Sequence, residues 1–425
     1  MASLLSARRL RARWRRWERR LIFMAGAFVV GLAAVGLAAA ADEAQIVFGR
    51  IQTALPYAAF AMTPIGFGLS AWLVKHVFPN TQGSGIPQAI AARSFSTPEE
   101  RRRLVSLRAA VGKVLLTLLG LFVGASVGRE GPTVQVGASV MFEAGRLTPR
   151  RQSGLILAGA AAGVAAAFNT PLAGIVFAIE EVSRSFEARA SGLIIGAVIL
   201  AGMISLALLG DYSYFGSTGA GLPIRSWMAV VACGVAGGLF GGLFSRILIE
   251  TANGLPGRIG AVIKGNSIAF AIVCGFIVAI IGFVSHGQTF GTGYTTARSA
   301  VHGSVPIGME FAPLKFLATT LSAISGIPGG IFSPSLSVGA GLGSNLAPFF
   351  PSAPLSAIVL LGMVGYFAGV VQAPITGFVI VSEMTSDHHM LLPLMATALI
   401  ATAASRLVCR EGVYHALAKR YLKPE

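Results

Sequence analysis

The amino-acid sequence predicts an all-α polytopic membrane protein made of two related halves, and three observations predict it. Charged residues make up 12% of the 425 positions, about half the roughly 25% of a soluble domain. Sixty-seven consecutive residues, Phe316 to Ser382, contain no Asp, Glu, Lys or Arg, so a water-soluble fold could not give that stretch a solvated face. Two long segments also recur along the chain at nearly one spacing. These features argue against a soluble enzyme, a secreted domain and a disordered chain. The three cysteines, Cys233, Cys274 and Cys409, are odd in number and far apart, so neither a disulfide framework nor a zinc site is expected.

Residues 1–20 hold eight Arg against one Glu, Glu18. Further cations cluster at Arg101–Arg103, at Arg146, Arg150 and Arg151, and at Arg406, Arg410, Lys419, Arg420 and Lys423. They flank apolar runs, as cytoplasmic ends do under the positive-inside rule. The net charge of +16 is therefore assigned to the membrane surface, and nucleic acid is not an expected partner. Trp14 and Trp17 among the N-terminal arginines suit an interfacial helix on anionic lipid. Leu21 to Ala41 is uncharged over 21 residues, long enough to span, and is read as a first span rather than a cleaved signal.

Further uncharged stretches follow at Ile51–Val74, Val114–Gly128, Gly131–Phe142, Gln152–Ile179, Ala190–Gly210, Ser226–Ser245, Gly265–Ala297 and Met390–Ser405. A helical span needs about 20 apolar residues. Some of these runs are too short and others too long, and 53 Gly and 20 Pro break them. Tilted and broken helices are expected, with ends buried in protein or lining water. Apolar residues run continuously rather than alternating, which excludes a barrel.

Pro132–Ala138 recurs as Pro334–Ala340 at an offset of 202, and Asn169–Glu180 recurs as Gln372–Glu383 at an offset of 203. The expected organisation is a basic cytoplasmic segment at 1–20, a first transmembrane repeat at 21–210, a linker at 211–225, and a second repeat with a short cytoplasmic tail at 226–425. Interrupted segments paired between two halves point to a transport site at the repeat junction. The residues alone do not fix whether the repeats are inverted or parallel.

Three motifs are candidates for that site. Gly83-Ser84-Gly85-Ile86-Pro87 permits an unusual backbone beside a ligand, with Pro87 in a first helical turn; read alone it suits an ordinary capped loop equally well. Gly128-Arg129-Glu130-Gly131-Pro132 places two charges in an otherwise uncharged stretch. A carboxylate at bilayer depth costs about 3 kcal/mol and is usually functional. Glu130 stands where a helix should start, at a positive end that an anion would also seek; the alternative is an exposed ion pair in a loop. Gly330-Ile331-Phe332-Ser333-Pro334 occupies the matching place in the second half, with Phe332 opposite Glu130. It offers backbone N–H donors without a fixed charge, or simply a glycine-packed helix turn.

Glu180 has Glu383 as its counterpart and is read as structural, whereas Glu181 faces Met384 in the repeat. Both acids also fit a helix end at the cytoplasmic surface, followed by Arg184. Tyr414 alone would suit an interfacial anchor. Asp387-His388-His389 is read as an aqueous loop rather than a metal site. Gly124-Ala-Ser-Val-Gly128 matches the GxSxG pattern by chance, since Ser126 lies in an apolar run rather than on a strand-to-helix elbow; no enzymatic activity is expected.

Together these residues resemble the CLC family of chloride channels and chloride/proton antiporters. The Gly-Ser-Gly-Ile-Pro, Gly-Lys/Arg-Glu-Gly-Pro and Gly-x-Phe-x-Pro motifs stand in order, and the similarity covers roughly residues 20 to 420. The resemblance implies inverted-topology repeats and a homodimer whose subunits each have an anion pathway. It implies that Ser84, Tyr414 and the N–H groups of Ile331 and Phe332 coordinate the anion. Glu130 would be the external gate and a proton carrier, and Glu181 the internal proton carrier. Family channels usually lack that last acid, so chloride/proton antiport is expected over a passive, voltage-gated-type channel. Ser84 implies chloride, because nitrate-preferring members carry Pro there and fluoride-exporting members a modified gate. Gln88 and Ile90 depart from positions where many members carry acids, which bears on the internal proton route. The chain ends soon after Tyr414, so the short prokaryotic type without nucleotide-sensing domains is expected. No cofactor or metal is expected; the implied ligands are chloride, protons and the lipid of an inner membrane, with both termini cytoplasmic.

Overall fold

A computed structural model of the protein describes residues 2–147, 151–183, 188–210, 213–219, 221–257, 260, 265–303, 307–387 and 389–422. Arg150, Arg184, His388 and Lys423 lie outside the described residues. The first helix, α1, runs unbroken from Ala2 to Ala54, so no break separates the basic segment from the first span. Next come α2 (Ala59–His76), α3 (Ile86–Ser94), α4 (Pro98–Leu104), α5 (Leu107–Phe122), α6 (Glu130–Ala144), α7 (Gln152–Phe168), α8 (Pro171–Phe177) and α9 (Ala188–Leu209). The later part contains α10 (Met228–Asn253), α11 (Ser267–Val284), α12 (Tyr294–Val301), α13 (Phe311–Ile324), α14 (Phe332–Leu346), α15 (Leu355–Val371), α16 (Pro374–Thr385), α17 (Leu391–Val408) and α18 (Val413–Leu422).

Among the described residues, six helical stretches are long and apolar enough to cross a membrane, and α7, α13, α15 and α16 are shorter apolar helices. Outward faces are apolar too: Ile195, Ile199, Met203 and Leu206 on α9, and Val273, Phe276, Ile280 and Phe283 on α11, are exposed. Water would not tolerate so much contiguous apolar surface. The protein is a multi-pass membrane protein.

Small residues set the packing. Helices α6 and α7 meet where Gly137 faces the Gly159 carbonyl, and α14 and α15 meet where Gly339 faces the Gly362 carbonyl. A Cβ at any of these positions would collide with backbone. Such close approach is how helices gain contact where no water is left to expel.

The equivalences extend to the caps. Helix α7 ends at Asn169 with φ 56° and α15 at Gln372 with φ 58°, and each is followed by a helix whose first residue is proline. Glu383 accepts from the Leu172 and Ala173 N–H groups at 3.1 and 2.6 Å, while Glu180 accepts from Ile375 and Thr376 at 3.1 and 2.6 Å. Such reciprocal bonding requires a two-fold relation between the halves. Gly128 and Gly330 lie on that axis, bonding to each other antiparallel at 2.6 and 2.7 Å. Antiparallel pairing makes the axis perpendicular to the chain, so equivalent segments enter the centre from opposite directions.

Two expectations change. Tyr214 and Phe215, in the segment read as a linker, are buried in the main core; Tyr214 packs edge-on against Phe168 and Tyr294, and Phe215 packs against Tyr294; a turn-rich composition conceals two aromatic anchors. Asp387 is buried rather than aqueous, and its Oδ2 accepts from the Thr218 hydroxyl at 2.7 Å. That bond ties the same segment to the turn after α16. Ser126, buried, shares a 2.9 Å hydroxyl contact with Thr319.

Candidate functional site

The three motifs come together through their backbones. Gly83 N–H donates to the Ile327 carbonyl at 3.1 Å and Gly329 N–H donates to the Gly83 carbonyl at 3.0 Å, beside the Gly128–Gly330 pair. Helices α3, α6 and α14 all begin at this cluster, after Gly85, Arg129 and Ile331. Opening N–H groups of a helix have no partner inside it, and they give this centre its positive potential.

Glycine is required where side chains would fill it. Gly85 holds φ +94° and a Cβ there would meet Gln135 and the Gly131 carbonyl, while a Cβ on Gly131 would meet the Ser84 hydroxyl. Two buried lysines hold the surrounding loops. Lys113 Nζ donates to the Gly83 carbonyl at 2.8 Å, and Lys315 Nζ donates to the carbonyls of Thr289 and Gly291, both at 2.8 Å.

Glu130 is 1% exposed. Its Oε1 accepts from the Ser333 hydroxyl at 2.5 Å, so the carboxylate of one half sits in the first turn of α14 in the other. Glu130 and Phe332 are each the first residue of their helix, as the offset predicts. Arg129 does not form an exposed pair with Glu130; it is buried, donates to the Ala38 carbonyl at 2.6 Å and pairs with Asp42 at 2.5 Å.

Tyr414 is fully buried rather than interfacial. Its hydroxyl faces that of Ser84. Among the described residues, neither oxygen closes a hydrogen bond of good geometry with the protein. Buried hydroxyls normally find partners. Two of them converging beside helix N-termini form a pocket of donors suited to an anionic acceptor.

Helix α8 widens into a π-helical turn over Ala178–Ser183, a departure often found at functional sites. This turn carries Glu180 to the α16 N-terminus and buries Glu181. A cavity of about 950 Å³ reaches Glu181 and is bordered by Arg93, Arg406, Arg410, His415 and Lys419. Ile90 also lines it. Gln88 is buried and donates to the Gln82 carbonyl at 2.7 Å, bracing the loop that carries Ser84. Near the mouth, burial pushes the Tyr421 phenol up to about 12, so it remains neutral as it accepts from Gln82 at 3.1 Å. A second cavity, of about 560 Å³, is bordered by Asp42, Gln45, His286 and Thr292.

Sequence reasoning missed Lys113, Lys315 and Tyr214. The lysines stand 202 residues apart, the motif offset, and that was the available signal. Tyr214 lies within electrostatic reach of Arg129, Glu130 and Ser333, and no local pattern marks it.

Known proteins resemble this chain in sequence and in fold. The H(+)/Cl(-) exchange transporter ClcA of Yersinia pseudotuberculosis serotype IB (strain PB1/+) is 32% identical over 410 residues, covering 91% of this chain and 81% of the relative. The crystal structure of a slow cyanobacterial Cl-/H+ antiporter superposes with a TM-score of 0.84 at 25% identity, covering 95% of this chain and 98% of the other. A CLC-type fluoride/proton antiporter superposes with a TM-score of 0.77 at 22% identity, covering 93% and 96%, a likeness of fold alone. The sequence pattern of the voltage gated chloride channel family matches residues 66–406, and the chain therefore belongs to that family.

Proposed function

We propose that the protein is a secondary-active chloride/proton antiporter of an inner membrane, working as a homodimer with both termini cytoplasmic. The observation that carries this reading is the Glu130 carboxylate in the first turn of α14, 2.5 Å from the Ser333 hydroxyl. A carboxylate and a chloride ion carry the same charge and compete for the same helix-end donors. Protonation neutralises the carboxyl, removes most of its attraction to those donors and leaves them to the anion. Ser84 and Tyr414 then donate hydroxyls to chloride, and the opening N–H groups of Ile331 and Phe332 complete its shell. Because ion and carboxylate alternate, each passage of chloride is linked to a proton on Glu130. Glu181, buried at the head of the inner cavity, delivers that proton to the other side. The exchange transporters among the relatives support the same reading.

The test is reconstitution in liposomes with a chloride gradient, no proton gradient and a clamped potential, reading external pH. Uphill proton movement driven by chloride is the expected result. Chloride flux with no proton movement would make the protein a passive channel and leave Glu181 a helix-end residue.

A further inference from the structure

We infer that His415 is a further proton-carrying residue of this pathway, passing protons between the inner cavity and Glu181; the inference rests on the antiport reading above. His415 Nε2 lies 3.9 Å from Glu181 Oε1, and the side chains are 15% and 2% exposed. The imidazole therefore borders both the buried acid and the cavity. The gap is longer than a direct hydrogen bond, and an approach of about 1 Å would bring the two groups into range.

The charged groups around this wall are occupied or unsuited to proton transfer. Arg93 on α3 donates to the carbonyls of Val182 and Ser183 at 3.4 and 3.2 Å. Arg406 on α17 and Arg410 before α18 border the same cavity, and a guanidinium holds its proton at any working pH. Glu180 is bound to the α16 N-terminus, and Glu411 is paired with Lys419 on α18 at 2.5 and 2.7 Å. The positions that lack an acid do not compensate, since Ile90 cannot titrate and Gln88 is bound to backbone. Imidazole titrates near neutral pH and has two nitrogens, so it takes a proton at one and gives one from the other. Inward transfer starts from neutral His415 and protonated Glu181. The proton passes from the carboxyl to Nε2, an imidazolium forms, and the proton on the other nitrogen leaves to cavity water. The proton count is conserved, and ring rotation or reverse transfer resets the tautomer.

The experiment compares wild type, His415→Gln and His415→Glu in oriented liposomes, recording chloride and proton flux together while the inner pH is stepped. His415→Gln should lower proton flux on the order of tenfold, at the weak end for a positioned acid–base group because water provides a bypass, with chloride flux falling much less. His415→Glu restores a titratable group. It should recover proton flux with a dependence on inner pH displaced toward acid, which a packing role would not produce. An unchanged proton-to-chloride ratio and inner-pH profile in His415→Gln overturns the inference and leaves antiport standing. Parallel loss of both fluxes at constant ratio in both variants also overturns it, in favour of a structural role. If wild type moves no protons uphill, the antiport reading itself has failed, and the inference fails with it.

Discussion

The two halves of the molecule use equivalent positions for different purposes. Lys113 and Lys315 both hold loop carbonyls, Glu180 and Glu383 each cap the start of the helical segment that carries the other, and Gly128 pairs with Gly330. At the heads of the central helices the halves diverge. Glu130 begins α6 where Phe332 begins α14, and Glu181 sits in a π-helical turn where Met384 sits in an α-helical one. The loops held by the two lysines contain Gly83-Ser84-Gly85 and Gly291-Thr292-Gly293; Ser84 faces Tyr414, whereas the Thr292 N–H and hydroxyl donate to Gln45 Oε1 at 2.9 and 3.1 Å. Gln45, on α1, thus gives the Thr292 donors an acceptor within the protein. Symmetric pairs build the scaffold, and the acids that break the symmetry belong to the first half.

The largest predicted effect tests that division directly. Glu130→Gln should cut chloride-driven proton uptake by about 100-fold or more, the scale of a lost acid–base group, while chloride flux persists. Phe332→Leu keeps the backbone N–H at the same helix start. It should slow chloride and protons together and preserve their ratio. Simultaneous recording with a chloride electrode and a pH electrode distinguishes them. Continued stoichiometric proton pumping by Glu130→Gln would end the gate assignment.

Much of this contrast is legible in the sequence, for identifiable reasons. The offset of 202 sets Glu130 against Phe332, and a lone Glu beside Gly and Pro marks a helix start. A structural role for Glu180 follows from its partner Glu383, because a pair kept at one spacing reads as scaffold; that each acid caps a helix across the repeat is a tertiary fact. Lys113 and Lys315 escape notice because each borders an uncharged run, where a cation reads as a membrane flank; only burial reveals that both point inward. Tyr214 and the burial of Asp387 are tertiary facts, made by segments far apart in the chain. The π-helical turn has no local signature, since the equivalent stretch of the second half stays α-helical.

A second pair of variants sharpens the comparison on the scaffold side. Lys113→Met and Lys315→Met each leave buried carbonyls without their donor, at about 3 kcal/mol. Melting in detergent should show comparable losses for the two. Calorimetric titration with chloride should then separate them, because only Lys113 holds the loop bearing Ser84. Equal loss of chloride binding in both variants would mean that the second-half loop also reaches the anion.

Next in size are the cross-caps. Glu180→Gln and Glu383→Gln each weaken two charge-assisted bonds to backbone N–H groups, about 1–2 kcal/mol, and the two-fold relation predicts similar losses on melting. Glu181→Gln, one residue further on, should do the reverse, costing little stability and much of the proton coupling. Strong destabilisation by Glu181→Gln would place it with the scaffold.

The smallest predicted effect concerns the left-handed caps. Asn169 and Gln372 hold φ 56° and 58°, a region costing an ordinary L-residue about 1–2 kcal/mol and glycine almost nothing. Gln372 gains something in return: its Nε2 donates to the Cys409 carbonyl at 2.7 Å and the Ser405 hydroxyl at 3.1 Å, tying the end of α15 to the end of α17. Two such bonds are worth about 1 kcal/mol each. Gln372→Gly therefore relieves the backbone and loses the tie, and the two effects nearly cancel, leaving a net change within about 1 kcal/mol. Gln372→Ala keeps the strain and loses the tie, so it should melt clearly below Gln372→Gly. If the two variants melt together, backbone conformation is not what the cap contributes, and the side-chain tie to α17 carries its whole stabilising effect.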